Sequence, residues 1–305
     1  MVAAVRAVVG LQAQDARAAF LAVRARTEGV SAAAVSRALD SGALVRTWAM
    51  RGTLHLLAAE DLPLALAVFA PVHLARARRR LAQLGLSDAD AERSTEEAVA
   101  VLAAEGPLTR HELAARLRER GVPVAAEGQA PIHVVRRAAL AGVLCEVGVS
   151  GRYAALDPEL PDRREALTRL AARYGAAHAP ATAEDFAAWS GLPAADVRAA
   201  WRDEPRTEGD PERGGVRLLG AYDEWLLGWA SRDVVLPAAH ARRVAPGGGI
   251  IRPVAIADGR VFGTWRLHRG RVELESFVRR PPSVGDEVAA VAAFVGEDPA
   301  FTAPG

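Results

Sequence analysis

One pattern recurs three times along this chain, and that repetition limits the folds open to it: short amphipathic helical stretches give way to β-like runs. In the first copy, apolar residues at helical spacing predict helices near 2–9, 16–26 and 31–39. They lead into Leu44–Met50 and Thr53–Leu57, two β-like runs joined by Arg51 and Gly52. Three helices and a hairpin are the layout of a winged helix. With Arg51-Gly52 as a two-residue turn, Trp48 faces His55 across the pair, a position suited to packing.

The second copy opens with Asp61 to Leu84, read as a helix with a break at Pro71. It carries Arg76, Arg78, Arg79 and Arg80, which serve either as a solvated face or, beside a winged helix, as a grip on phosphates. A helix over Ala91–Ala104 follows. Thr109 and Glu112 form a capping box for a helix that runs to Arg120 and closes at Gly121. Pro131 opens a helix over Ile132–Ala141 bearing Arg136 and Arg137, and Val143–Val149 with Arg152–Leu156 give a second hairpin. In the third copy, from Arg163, Thr182 and Asp185 repeat the capping arrangement, and a turn at Ser190–Pro193 leads to a helix ending near Trp201.

The tail is longer than a wing. Val216–Leu219 reads as a strand, Tyr222–Trp229 is apolar and ambiguous, and Gly247-Gly248-Gly249 reads as a flexible joint. Strands are expected over 250–257, 260–268 and 271–278, with Asp258-Gly259 a strong hairpin signal and Arg269-Gly270 a weaker one. A helix over Val284–Val295 closes the fold. The expected class is α+β, with tandem winged-helix (helix-turn-helix) modules over 1–60, 61–160 and 161–215 and a β-rich C-terminal region over 216–305.

Composition narrows the chemistry. No apolar run approaches the ~18 residues of a membrane span, and no signal-peptide pattern is visible, so a cytoplasmic, nucleoid-associated protein without membrane contact is expected. Cys145 is the only cysteine, which leaves neither an internal disulfide nor a zinc site, and no metal or cofactor is expected. The formal charge is only +1, so affinity for nucleic acid must come from local patches. All 38 basic residues are arginine, which excludes lysine Schiff bases, lysine general bases and a Walker-type phosphate loop.

Between the first two helices lies Gly10-Leu11-Gln12-Ala13-Gln14-Asp15. Gly10 reads as the stop of one helix and Asp15 as the cap of the next. Residues i and i+2 face the same way on an extended backbone, so an extended joint points Gln12 and Gln14 at one target. Two readings stand: solvated linker residues, or a pair of neutral amides that orients a water and a charged sugar.

The motifs Gly10–Asp15, Leu44–Trp48, Met50–His55, Tyr222–Trp225 with Arg232-Asp233, and Gly263–Trp265 resemble the bacterial winged-helix DNA glycosylases of the AlkZ and YcaQ type, over nearly the whole chain. The resemblance implies tandem winged helices around a DNA channel. It also implies catalysis by a Gln-x-Gln motif, which Gln12 and Gln14 match. An N7-alkylated purine is a cationic, activated leaving group, so two amide oxygens that stabilise an oxocarbenium-like sugar suffice without a strong acid. The expected function is a monofunctional glycosylase acting as a monomer on alkylated or crosslinked double-stranded DNA. Phosphate contacts are expected at Arg46, Arg51, Arg76, Arg79, Arg136, Arg137 and Arg269. A non-enzymatic winged-helix regulator and a protein–protein scaffold are the alternatives. Release of free base, footprinting of one sequence, or absence of salt-dependent DNA affinity tells the three apart.

Overall fold

The computed structural model describes residues 1–202, 215–268 and 270–296. Along the first third the elements are α1 (Val2–Ala7), β1 (Leu11–Gln12), α2 (Ala16–Ala25), α3 (Ala32–Asp40), β2 (Leu44–Trp48), β3 (Leu54–Ala58) and α4 (Leu62–Gln83). There follow α5 (Asp88–Glu105), β4 (Leu108–Thr109), α6 (Arg110–Glu119), α7 (Ala130–Leu140), β5 (Leu144–Val147) and β6 (Arg152–Ala155). The rest comprises α8 (Arg163–Ala177), α9 (Ala183–Ser190), α10 (Ala194–Ala200), β7 (Val216–Leu219), α11 (Glu224–Leu227) and α12 (Ala241–Val244). Last come β8 (Val254–Ala257), β9 (Arg260–His268), β10 (Arg271–Ser276) and α13 (Gly285–Val295). Two compact units result, one made of Met1–Val35 with the chain from Ala171 onward, the other of Ser36–Leu170.

Within residues 36–170, β2 and β3 form an antiparallel hairpin, β5 and β6 a second, and β4 adds to the edge of β6. The two hairpins meet at one register pair, Arg46 opposite Glu146. Helices α5, α6 and α7 pack on one another around Val101, Leu113, Leu117, Val134 and Val135, with Trp48 packed against that core as its expected role requires. Capping boxes start both outer helices. The Thr109–Glu112 box stands as expected, and a further box at Ser87 and Asp90 starts α5 three residues before Ala91, where the apolar spacing first becomes visible.

Two expectations in this unit are corrected. Ala49 N–H donates to Thr53 C=O and Gly52 N–H to Ala49 C=O, so the first hairpin turns through three residues, Met50, Arg51 and Gly52, rather than two. Arg51 (φ 54) and Gly52 (φ 72) both take the left-handed conformation that closes this loop. The extra residue shifts the register by one, and His55 faces Thr47 while Trp48 faces Leu54. The second correction concerns α4, which runs unbroken through Pro71. Proline removes one N–H from the ladder, but burial of Leu62, Leu64, Leu66, Val68 and Phe69 ahead of it holds the helix in place.

The other unit contains an antiparallel sheet in the order β10-β9-β8-β7. Asp258 (φ 47) and Gly259 (φ 78) are both left-handed, the geometry of the two-residue turn that their sequence demands. The expected strand over 250–257 shortens to β8, because Gly247–Ile250 closes as a bonded turn, Ile250 N–H to Gly247 C=O at 3.1 Å, rather than serving as a loose joint. Leu219, Leu226, Leu236, Val254 and Val261 fill the space behind the sheet. Helix α13 is tied to α2 and β7 by a buried ion pair: Glu287 accepts from Arg24 at 2.5 Å and from the Leu218 N–H at 2.8 Å. The third capping box, Thr182 with Asp185, opens α9 as expected and sets Phe186 and Trp189 against Tyr174.

Candidate active site

The joint that carries the two glutamines is built by the end of α1. Gly10 N–H donates to Val5 C=O and Val9 N–H to Arg6 C=O, the paired bonds of a Schellman ending. The left-handed residue of that ending is Val9, at φ 63, with Gly10 after it at φ 118. A β-branched residue there costs about 1–3 kcal/mol, so the strain sits three residues before Gln12. The chain then extends through Leu11 and Gln12, and Ala13 is fully buried on the opposite side from its neighbours.

The i, i+2 geometry expected for the pair is present. Gln12 Nε2 donates to Gln14 Oε1 at 3.0 Å, with Gln12 8 % exposed and Gln14 at the surface. This bond orients both amides and turns the Gln12 carbonyl oxygen away from Gln14. Asp15 is not a third member of the group: its carboxylate accepts the Ala18 N–H at 3.1 Å and caps α2. The site therefore offers neutral dipoles rather than an acid–base pair. Such dipoles can stabilise developing positive charge and hold a water.

In residues 36–170 the arginines separate into two groups. Arg46 lies in the sheet and pairs with Glu146, whose carboxyl is raised by burial against the opposing pull of Arg46. Arg137 donates from Nε to the Ala91 carbonyl at 2.8 Å. Both guanidiniums thus serve internal contacts. Arg269 lies outside the described residues.

The second group is different. Arg76 and Arg79 are exposed on α4, beside Arg78, which meets Asp88 at 3.1 Å across the surface. Arg51 occupies the hairpin loop. Arg136 on α7 is half-buried beneath that loop; its Nη2 lies 2.7 Å from the point a Gly52 Cβ would occupy, and its buried Nε makes no hydrogen bond to the described residues. Burial lowers its pKa. His73 Nε2–H donates to Ala49 C=O at 2.8 Å; burial and then Arg136 and Arg76 lower its pKa, and burial, Arg136 and Arg80 lower that of His133. Burial is the main cause of all three shifts, and Arg136 adds a smaller repulsion at both histidines. His73 and His133 carry no local sequence signal that would have placed them here.

A family model described as DNA glycosylase AlkZ-like matches residues 5–297. An interstrand DNA cross-link repair glycosylase of Streptomyces sahachiroi is 30% identical over 297 residues, covering 85% of this chain and 80% of that protein. The solved structure of the Streptomyces sahachiroi DNA glycosylase AlkZ superposes with a TM-score of 0.79 at 26% identity, over 97% of this chain and 92% of the other.

Proposed function

Because the chain belongs to the AlkZ-like DNA glycosylase family, we propose that it hydrolyses the N-glycosidic bond of bulky or crosslinked N7-alkylpurines in double-stranded DNA, with Gln12 and Gln14 as the catalytic pair. The observation that carries the assignment is the hydrogen-bonded Gln12–Gln14 pair on an extended joint behind a strained turn. In the reaction the glycosidic electron pair leaves with the cationic base, and the sugar develops oxocarbenium character. The amide oxygens stabilise that charge and hold the water whose oxygen bonds to the anomeric carbon; its proton passes to solvent. Without a positioned acid, activity favours lesions that are already good leaving groups.

Arg51, Arg76, Arg79 and Arg136 are the proposed phosphate contacts, on modules 1–60 and 61–160 of a tandem winged-helix arrangement that continues through 161–215 into the β-rich region 216–305. The enzyme acts as a cytoplasmic, nucleoid-associated monomer. The test is Gln12→Ala combined with Gln14→Ala: base release from N7-alkylated duplex is lost while DNA affinity stays within a few-fold. Release at the wild-type rate by the double variant refutes the pair.

A further inference from the structure

We propose that the cavity between Trp225 and Trp229 is a binding site for a flat, purine-sized heteroaromatic ring bearing N–H donors. The cavity measures about 320 Å³, at the small end of the range in which ligands bind, and lies wholly within the unit that carries Gln12 and Gln14. Its aromatic walls are rigid. Trp225 Nε1 donates to Gly259 C=O at 3.0 Å and Trp229 Nε1 donates to Trp225 C=O at 3.2 Å, so each indole N–H is held by main chain while Trp225 stays 37% exposed. A fixed indole offers a π-face for stacking at little entropic cost.

The polar groups are equally preset. Arg26 is clamped by two bonds to Asp223, at 2.7 and 2.8 Å. Glu224 is 1% exposed and its Oε2 takes the Trp189 indole N–H at 3.0 Å, which aligns a buried carboxylate in the cavity wall. A carboxylate beside a stacking face selects ring N–H donors, and an arginine beside it selects a ring carbonyl or ring nitrogen. Guanine-like and adenine-like rings present such edges; a plain hydrocarbon does not.

Position supplies the link to chemistry. Val8 forms part of the wall and precedes Gln12 by four residues, so the cavity begins within about 14 Å of the glutamine pair along the chain. That the ring is a purine rests on the base-releasing function proposed above; the existence of the ring site does not.

Isothermal titration of the full chain with free 7-methylguanine and with adenine tests the site directly. Binding in the sub-millimolar range is expected. Trp225→Ala, which removes one stacking face, weakens it about fivefold or more. Ala177→Phe, at the exposed rim, blocks entry and weakens it similarly. No heat at millimolar base, or equal affinity in wild type and both variants, overturns the site. If free base fails to bind while the enzyme still releases base from DNA, the site falls and the function stands; if base binds and none is released, the reverse holds.

Discussion

Acidification should loosen the β2–β3 hairpin through His55. This ring is fully buried, its Nδ1 is bonded to Thr53 C=O at 2.9 Å, and its Nε2 has no hydrogen-bond partner among the described residues. Burial, and then the charge of Arg51, push its pKa from 6.5 down to about 3. Above pH 6.5 both folded and unfolded chains hold a neutral ring. Below it the unfolded chain takes up a proton that the folded chain refuses, so stability falls with acid until pH about 3 is reached. Moving from pH 7 to pH 5 therefore removes about 2 kcal/mol through this one side chain. Hydrogen exchange of the Leu44–Trp48 and Leu54–Ala58 amides reports the unit locally. His55→Gln cannot titrate, so its loss between the two pH values should be smaller than wild type by about 2 kcal/mol, whatever its absolute stability. Equal losses in the two proteins, or a wild type that gains protection in acid, would refute the reasoning.

In the other unit, His178 is pushed down to about 4 by burial, so that unit should weaken in the same direction and by a similar amount, read at amides of α8. Glu287→Ala leaves Arg24 buried without its counter-ion and should cost about 3–5 kcal/mol in urea unfolding; a cost under about 1 kcal/mol would mean that the pair contributes nothing. Arg79→Gln and Arg136→Gln should each lower the slope of log DNA affinity against log salt by about 0.9, whereas Arg46→Gln should leave the slope alone and reduce stability; an unchanged slope in the first two removes them from the interface. With no lysine in the chain, borohydride should trap no protein on alkylated DNA, and a covalent adduct would contradict monofunctional chemistry.

Much of the secondary structure was written locally. Thr109 with Glu112 and Thr182 with Asp185 cap helices because a side chain and a backbone N–H three residues on meet whatever lies beyond them. Asp258-Gly259 turns because its two residues tolerate positive φ, and Gln12 and Gln14 converge because alternate residues of an extended chain share a side. What failed locally depended on partners far away in sequence. Arg46 and Arg137 look like surface cations until Glu146, 100 residues from Arg46, and the carbonyl of Ala91, 46 residues from Arg137, are brought beside them. The three-residue loop at Met50–Gly52, the unbroken helix through Pro71 and the neutral His55 likewise follow from burial and cross-strand pairing. Hydrogen bonds between near neighbours depend on residue type and spacing alone; desolvation and long-range pairing exist only once the chain has closed on itself, and they decided which charges are taken into internal contacts.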